Sequence, residues 1–507
     1  MISAIKRFQE NHYRLFSLIL GLAFGFFCAF MASALANLLY THFPVSYFYN
    51  DSNMFYYMGQ RLVAGDKPYV DFYDHKGLYI IYYHALGILL GGRVGMLIVE
   101  GITFGLFFFW LLLIARYLKF NKYWTLFLCL TFTGLYAITA QNPNDVEPTL
   151  PFMGGALYFF IRGRNGRSYK DFLFANAFAG FTAGISLNIR PSDCLVSLSL
   201  VFGFFVFVII DRNIGVKKKI TTLLYHAAIT LAFLIAASFP PLVHGVLGGF
   251  AKEMYEATIF SNFKYVDRVA TGMLVTYCRV AIIAGLISVI IPSLLKIDEL
   301  GKTFFLVTFA VALVQFLVQF LIAYYIHYAL ISVPSLGIFW FEIASHFKMG
   351  KPLKKGIAGL VLISNLIGLI ALPINYHLNQ KKVDESVSAF VVDTIKGEDK
   401  NKTLCYLATP SLYQENGLVS PWPDFAVQGN HQLINPSLSI PNLMDFLSSG
   451  GAKYVILMEE PVFIDSVIDY VRLGKDLNGL KKERKFEKVD DSSYEGGKYI
   501  DIYRYIG

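Results

Sequence analysis

Apolar runs long enough to cross a hydrocarbon core, roughly 20 residues each, recur along this chain and constrain its fold more than any other feature. They lie near 15–40, 94–115, 124–141, 148–161, 172–187, 194–210, 222–246, 275–295, 303–325, 328–346 and 357–376. The pattern predicts a polytopic α-helical membrane protein of about eleven spans. Composition agrees: 55% of the 507 residues are hydrophobic, 16% are charged and the mean hydropathy is +0.50. The first run, Leu15 to Tyr40, exceeds the apolar core of a cleavable signal and reads as a retained first span. The net charge of +8 sits in short loops between apolar runs, so it reads as orientation and not as nucleic-acid binding.

Basic residues mark alternate loops. They include Lys6, Arg7 and Arg14; Arg116, Lys119 and Lys122; Arg162, Arg164, Arg167 and Lys170; Arg212 with Lys217, Lys218 and Lys219; Lys296 and Lys302; and Lys348 to Lys355. By the positive-inside rule these loops and the N-terminus are cytoplasmic. An odd number of spans then puts 41–93, 142–147, 188–193, 247–272, the turn near His327 and the tail after 376 outside. Acidic clusters near the spans, Asp298-Glu299 excepted, fall on that outer face. Beyond Tyr376 the pattern changes to one helix at 383–395 and short strands near 404–408, 454–458 and 499–505, which predicts a small extracytoplasmic α/β domain. The expected division is thus a transmembrane domain at 1–376 and a tail domain at 377–507. The cysteines Cys28, Cys129, Cys194, Cys278 and Cys405 have neither disulfide-framework nor zinc-finger spacing.

The outer loop at 41–93 concentrates the polar chemistry. Asp51 or Ser52 starts a helix that stops at Gly65, with Met54, Phe55, Met58 and Leu62 on one apolar face. That face predicts a helix lying flat at the interface. Leu78 to Leu90 is a second apolar helix, too short to span. Between them runs Gly65-Asp66-Lys67-Pro68-Tyr69-Val70-Asp71-Phe72-Tyr73-Asp74-His75-Lys76-Gly77. Ionisable groups held beside a bilayer point to function, yet each has a plainer alternative. Asp51 is a helix cap or a general base. Asp71, Asp74, His75 and Lys76 form a solvated charged turn, or a site in which Lys76 holds a phosphate. In Asn144-Asp145-Val146-Glu147-Pro148, the carboxylates of Asp145 and Glu147 cap a helix or act chemically. Arg190 pairs with Asp193, or joins Lys76 on a phosphate. His327, Tyr328 and the Lys264 to Arg268 stretch are lesser candidates.

These residues resemble the GT-C superfamily of membrane glycosyltransferases, in the branch holding protein O-mannosyltransferases, lipid A aminoarabinose transferases and bacterial envelope sugar transferases. The resemblance is carried by Asp51-Ser52-Asn53-Met54-Phe55-Tyr56-Tyr57-Met58-Gly59, the loop from Gly65 to Gly77, Asn144 to Phe152, and the pair His327-Tyr328. It implies transfer of a monosaccharide from a polyprenyl-phosphate donor, with inversion, to a glycan, lipid or protein acceptor outside the membrane. Asp51 matches the family's essential acid, Glu147 its second acidic position and Lys76 the lysine on the donor phosphate. The family's usual Lys-Pro is Lys76-Gly77 here. Asp71, Asp74, His75, Arg190, His327 and Tyr328 are carried as substrate-binding candidates. The chemistry requires no metal, since phosphate leaves well, although Asp51, Asp74 and Glu147 can hold a divalent cation. A basic inner side without a disulfide framework fits a bacterial plasma membrane. The rival expectations are a transporter or flippase of lipid-linked sugars, a ligase using diphosphate-linked oligosaccharides, and a scaffold presenting the tail.

Overall fold

The computed structural model describes residues 11–40, 51–139, 145–166, 168–211, 213–260, 331, 333–346, 356, 359–360, 363, 381–406, 411–425, 431, 435–458, 465–480, 484–490 and 499–507. The protein is mostly helical with one small sheet. Its residues group by contact into two compact units. One comprises Met1–Ser33, Met96–His244 and Val266–Gly368; the other comprises Ala34–Gly95, Gly245–Tyr265 and Leu369–Gly507. The second unit holds the whole of the loop at 41–93 together with the tail.

In chain order the helices used below are α1 (Tyr13–Tyr40), α2 (Asp51–Val63), α3 (Leu78–Leu89), α4 (Arg93–Tyr117), α5 (Lys122–Thr139), α6 (Leu150–Gly166), α7 (Tyr169–Leu187), α8 (Pro191–Ile210), α9 (Val216–Gly248), α10 (Ala251–Tyr255), α11 (Val333–His346) and α12 (Lys381–Thr394). Four segments are long and apolar enough to cross a membrane: Tyr13–Ala32, Arg93–Tyr117, Asp193–Ile210 and Val216–Gly248. The expected runs at 124–141, 148–161 and 172–187 also fold as helices, α5 to α7. They are shorter or more polar; α6, for example, carries Arg162 and Arg164 in its last turns. The spans expected at 275–295 and 303–325, and most of 357–376, lie outside the described residues.

Apolar surface on these helices is left uncovered by protein. Leu15, Phe30, Phe202, Leu224, Leu231 and Phe239 are all exposed, on helices long and apolar enough to cross a membrane. Inside the first unit the helices approach through glycine. A Cβ on Gly25 would lie 2.2 Å from the Gly105 backbone nitrogen and 2.4 Å from the Gly101 oxygen. Gly21 and Gly25 of α1 thus face Gly101 and Gly105 of α4, the small-xxx-small spacing that lets backbones touch where no hydrophobic effect drives association. Gly180 and Gly184 of α7 repeat the device against α9, with Cβ positions 2.2 Å from the Thr230 oxygen and 2.4 Å from the Leu234 oxygen. Phe104 and Phe107 of α4 meet Phe132 and Tyr136 of α5 in tilted and edge-on contacts within an aromatic core.

In the second unit α2 and α3 pack closely, because Gly59 brings α2 against the Ala85 nitrogen and His84 Cβ. The expectation that α2 buries a single apolar face needs correction. Met54, Phe55, Tyr56, Tyr57, Met58, Gly59 and Arg61 are all buried, since the short tail helix α13 (Ser411–Asn416) covers its other side. Tyr57 stacks on Tyr413 at 4.7 Å and meets the edge of Phe425 at 4.7 Å.

The tail carries strands β1 (Thr403–Cys405), β2 (Tyr454–Met458), β3 (Phe486–Lys488) and β4 (Ile500–Tyr505), which form a four-stranded sheet of order β1-β2-β4-β3. β1 and β2 are parallel, whereas β4 runs antiparallel to both of its neighbours. Helices α14 (Ile440–Ser448) and α15 (Ser466–Leu473) supply Leu443, Leu447, Val467 and Val471 to the same core as Leu404, Ile456 and Ile502. The three expected strands are present; β3 is additional, its three residues being too few to show a period. Among the described residues Cys28, Cys129, Cys194 and Cys405 are unbridged.

Candidate functional site

The loop from Gly65 to Gly77 is a constructed turn. Gly65 ends α2 with φ +97°, the left-handed conformation that favours glycine. Val70 and Asp71 donate their backbone N–H to the Lys67 carbonyl, and the Asp71 carboxylate accepts from the Lys67 N–H at 2.7 Å. Tyr69 holds φ +66°, unfavourable for an aromatic residue. It is fixed there by its N–H to the Phe72 carbonyl at 2.7 Å and by its hydroxyl, which donates to the Lys76 carbonyl at 2.9 Å. Arg61 fastens the turn to α2: it pairs with Asp66, donates to the Asp71 carbonyl at 3.2 Å and donates to the Tyr57 hydroxyl at 3.0 Å. The Tyr73 N–H donates to the Pro423 carbonyl at 2.9 Å, tying the turn to a tail segment.

This scaffold separates the charged residues. Asp71 is exposed, whereas Asp74, His75 and Lys76 are buried, Lys76 to 4% exposure. Asp74 Oδ1 accepts the Lys76 N–H at 2.7 Å. From the tail, His431, fully buried, sets its Nε2 3.2 Å from His75 Nδ1 and 3.8 Å from Asp74 Oδ2. The other ring nitrogen of His431 lies 2.8 Å from Asp424 Oδ1. Burial pushes the Asp74 carboxyl above its usual range, against the opposing pull of His431 and Lys76. For His431, burial disfavours the imidazolium, but Asp424 and Asp74 outweigh it and hold the pKa above the ordinary histidine value. Asp51, half-buried, opens the first turn of α2, where a carboxylate suits the helix dipole.

The first unit holds a separate acidic group. Glu147 begins a 3-10 turn, with Pro148 in its first positions, that leads into α6. Its side chain is 1% exposed. Arg190, the N-cap of α8, makes a two-pronged contact with Asp193: Nε to Oδ1 at 2.9 Å and Nη2 to Oδ2 at 2.6 Å. Its remaining nitrogen lies 3.2 Å from Asp145 Oδ2. Of the two readings of Arg190, the pairing with Asp193 is the one observed, and Asp145 extends it. All three side chains are buried.

The structure therefore brings Asp74, His75 and Lys76 together in the second unit, with Asp51 in the same unit, and Asp145, Glu147 and Arg190 in the first. His327 and Tyr328 lie outside the described residues. Of the suggested cation ligands, Asp51 and Asp74 are in one unit and Glu147 in the other. The described group whose donor atoms converge is Asp74, His75 and His431, all within 4.8 Å of one another. Sequence reasoning missed His431 and Asp424, which stand in a stretch without periodicity or motif. It also missed Glu100, a carboxylate on α4 that is 2% exposed; an acid inside an apolar run was the available signal. No protein-family model matches the chain, and no curated protein matches it.

Proposed function

We propose that the chain is a GT-C-type glycosyltransferase of about eleven spans, in a bacterial plasma membrane, that works on the outer face with a polyprenyl-phosphate-linked monosaccharide. One observation carries the reading. The Asp74-His75-Lys76 run is buried in a turn braced by Tyr69, Arg61 and Pro423, which is not how a solvated charged turn between helices behaves. Burying a lysine is expensive unless anions face it; Asp74 supplies one, and a donor phosphate is read here as another. The alternation of basic loops supports this orientation, and the apolar surface of α1, α8 and α9 supports the membrane.

In this reading Asp51 takes the proton from the acceptor hydroxyl as its oxygen attacks the anomeric carbon. The bond from that carbon to the phosphate oxygen breaks with inversion, and polyprenyl phosphate leaves with its charge held by Lys76. Glu147 is the second acidic residue. Asp74 positions the Lys76 backbone, Asp71 is left to contact polar parts of the substrate, and Arg190 organises the acidic group through Asp145 and Asp193. The acceptor is an envelope glycan, lipid or protein.

The test compares envelope glycans and lipid-linked sugars in cells carrying the wild-type protein, Asp51→Asn, Glu147→Gln or Lys76→Gln at matched membrane abundance. Loss of one sugar decoration with accumulation of its polyprenyl-phosphate precursor is expected in each variant. Unchanged glycans in all three would refute transfer and favour a transporter or scaffold.

A further inference from the structure

We propose that Asp74, His75 and His431 form a three-ligand zinc site that fastens the loop carrying Lys76 to the tail, with Asp424 orienting His431 from outside. The ligand positions come from opposite ends of the sequence, since His75 and His431 are 356 residues apart. Their convergence is therefore a product of the fold and not of local chain geometry.

The spacing fits a metal. In a tetrahedral zinc site with bonds of about 2.0–2.1 Å, neighbouring donor atoms lie about 3.3 Å apart. Here His75 Nδ1 and His431 Nε2 are 3.2 Å apart, Asp74 Oδ1 and His75 Nδ1 3.7 Å, and Asp74 Oδ2 and His431 Nε2 3.8 Å. The two carboxylate edges are made by different oxygens, so a single Asp74 oxygen on the ion, within 4.8 Å of both imidazole nitrogens, needs the carboxylate to turn and draw in toward that spacing.

Two further features point at a cation. Asp74 Oδ2 is buried and has no hydrogen-bond partner among the described residues, although Oδ1 of the same carboxylate is satisfied by the Lys76 N–H. A buried acceptor left in that state is costly, and it is the oxygen nearest His431. Asp424 Oδ1 lies 2.8 Å from His431 Nδ1, where it can accept a proton held on that nitrogen and leave Nε2, which faces Asp74 and His75, to bind a metal ion in place of a proton. A carboxylate on the far nitrogen of a metal-binding histidine is the usual outer support of such sites. A hydrogen bond between the two imidazoles accounts for the shortest distance but leaves Asp74 Oδ2 unsatisfied; a metal accounts for both.

The donor set selects the ion. Two imidazoles and one carboxylate suit zinc, whereas magnesium and calcium prefer oxygen ligands throughout. Three protein ligands leave a fourth position for water or a substrate oxygen. Because Lys76 directly follows two of the ligands, the ion fixes the backbone from which the lysine projects.

The experiment is metal analysis of the full chain, purified in detergent through a histidine-free tag, after growth with zinc and dialysis against metal-free buffer. One zinc per chain is expected in the wild-type protein. His75→Ala and His431→Ala should remove it, and Asp424→Asn should weaken zinc affinity by roughly 10–100-fold without abolishing it. X-ray absorption of the wild-type protein should show two imidazole nitrogens, oxygen and no sulfur, which keeps the test valid if a ligand variant fails to fold. A wild-type protein without zinc, a sulfur ligand, or variants that keep full zinc content would overturn the site. None of these readings depends on sugar transfer, so the zinc site and the transferase stand or fall separately.

Discussion

The glycine contact between α1 and α4 yields a prediction whose size follows from the coordinates. Replacing Gly25 by Ala places a methyl carbon 2.2 Å from the Gly105 nitrogen, 2.4 Å from the Gly101 oxygen and 2.4 Å from Gly105 Cα. Carbon atoms in good contact sit about 3.5–4.0 Å apart, so the two backbones must separate by more than about 1 Å. All three obstructing atoms belong to the main chain, so no side chain can swing aside. Overpacking of this kind costs about 1–3 kcal/mol, and the separation also loosens the contact at Gly21, four residues away on the same face. The expected outcome is destabilisation by about 2 kcal/mol, a fall of roughly 30-fold in the ratio of folded to unfolded protein. Gly215 supplies the control: a Cβ there meets nothing within 4 Å and its backbone is not left-handed. Thermal unfolding of detergent-solubilised Gly25→Ala and Gly215→Ala, compared with wild type, is the assay. Equal unfolding temperatures for the two variants would refute the close crossing, whereas Gly25→Leu should unfold still more readily than Gly25→Ala.

Three other outcomes follow from buried charge. Arg190→Gln leaves Asp145 and Asp193 buried without their cation and should cost about 3–5 kcal/mol, read as lost thermal stability; Arg190→Lys should recover only part, because the two-pronged contact with Asp193 needs a guanidinium. His84 is fully buried, neither ring nitrogen has a hydrogen-bond partner among the described residues, and burial together with Arg93 lowers its pKa to about 3. Below its unfolded value of 6.5 the unfolded chain takes up a proton that the folded chain refuses. Stability should therefore fall as pH drops from 6.5 to 5.5, by about 1 kcal/mol, and a His84→Leu variant with the same pH slope as wild type would contradict this. Arg61→Ala removes the clasp between α2, Asp66 and the Asp71 carbonyl, so limited proteolysis should begin cutting within 66–73; resistance equal to wild type would show that Tyr69 and Pro423 suffice.

Much of this architecture was legible in the sequence because it rests on local rules. Apolar runs gave the described helices of the first unit, Gly65 gave the end of α2, and short strand-like runs gave three of the four tail strands. The buried turn was visible as a concentration of charge, but which of its charges faced water was not. Asp71 and Asp74 stand three residues apart in similar surroundings, and only the Tyr69 kink and the Pro423 carbonyl send one outward and the other inward. His431 and Asp424 were illegible for the same reason: nothing near them in sequence says that their partner is Asp74. The glycine crossings were present as Gly21/Gly25, Gly101/Gly105 and Gly180/Gly184, yet spacing alone does not say which helix faces which.

The bond from Tyr73 to Pro423 also sets a schedule for biosynthesis. At a synthesis rate of about 5–20 residues per second, the 356 residues separating His75 from His431 take roughly 20–70 s to make. For that interval the Asp74-His75-Lys76 run exists without the segment that covers it, exposed to water, protease and any stray metal ion. The nascent chain is most vulnerable at a stretch whose final burial is nearly complete, and a chain ended before residue 423 would lack the carbonyl that ties the turn to the tail.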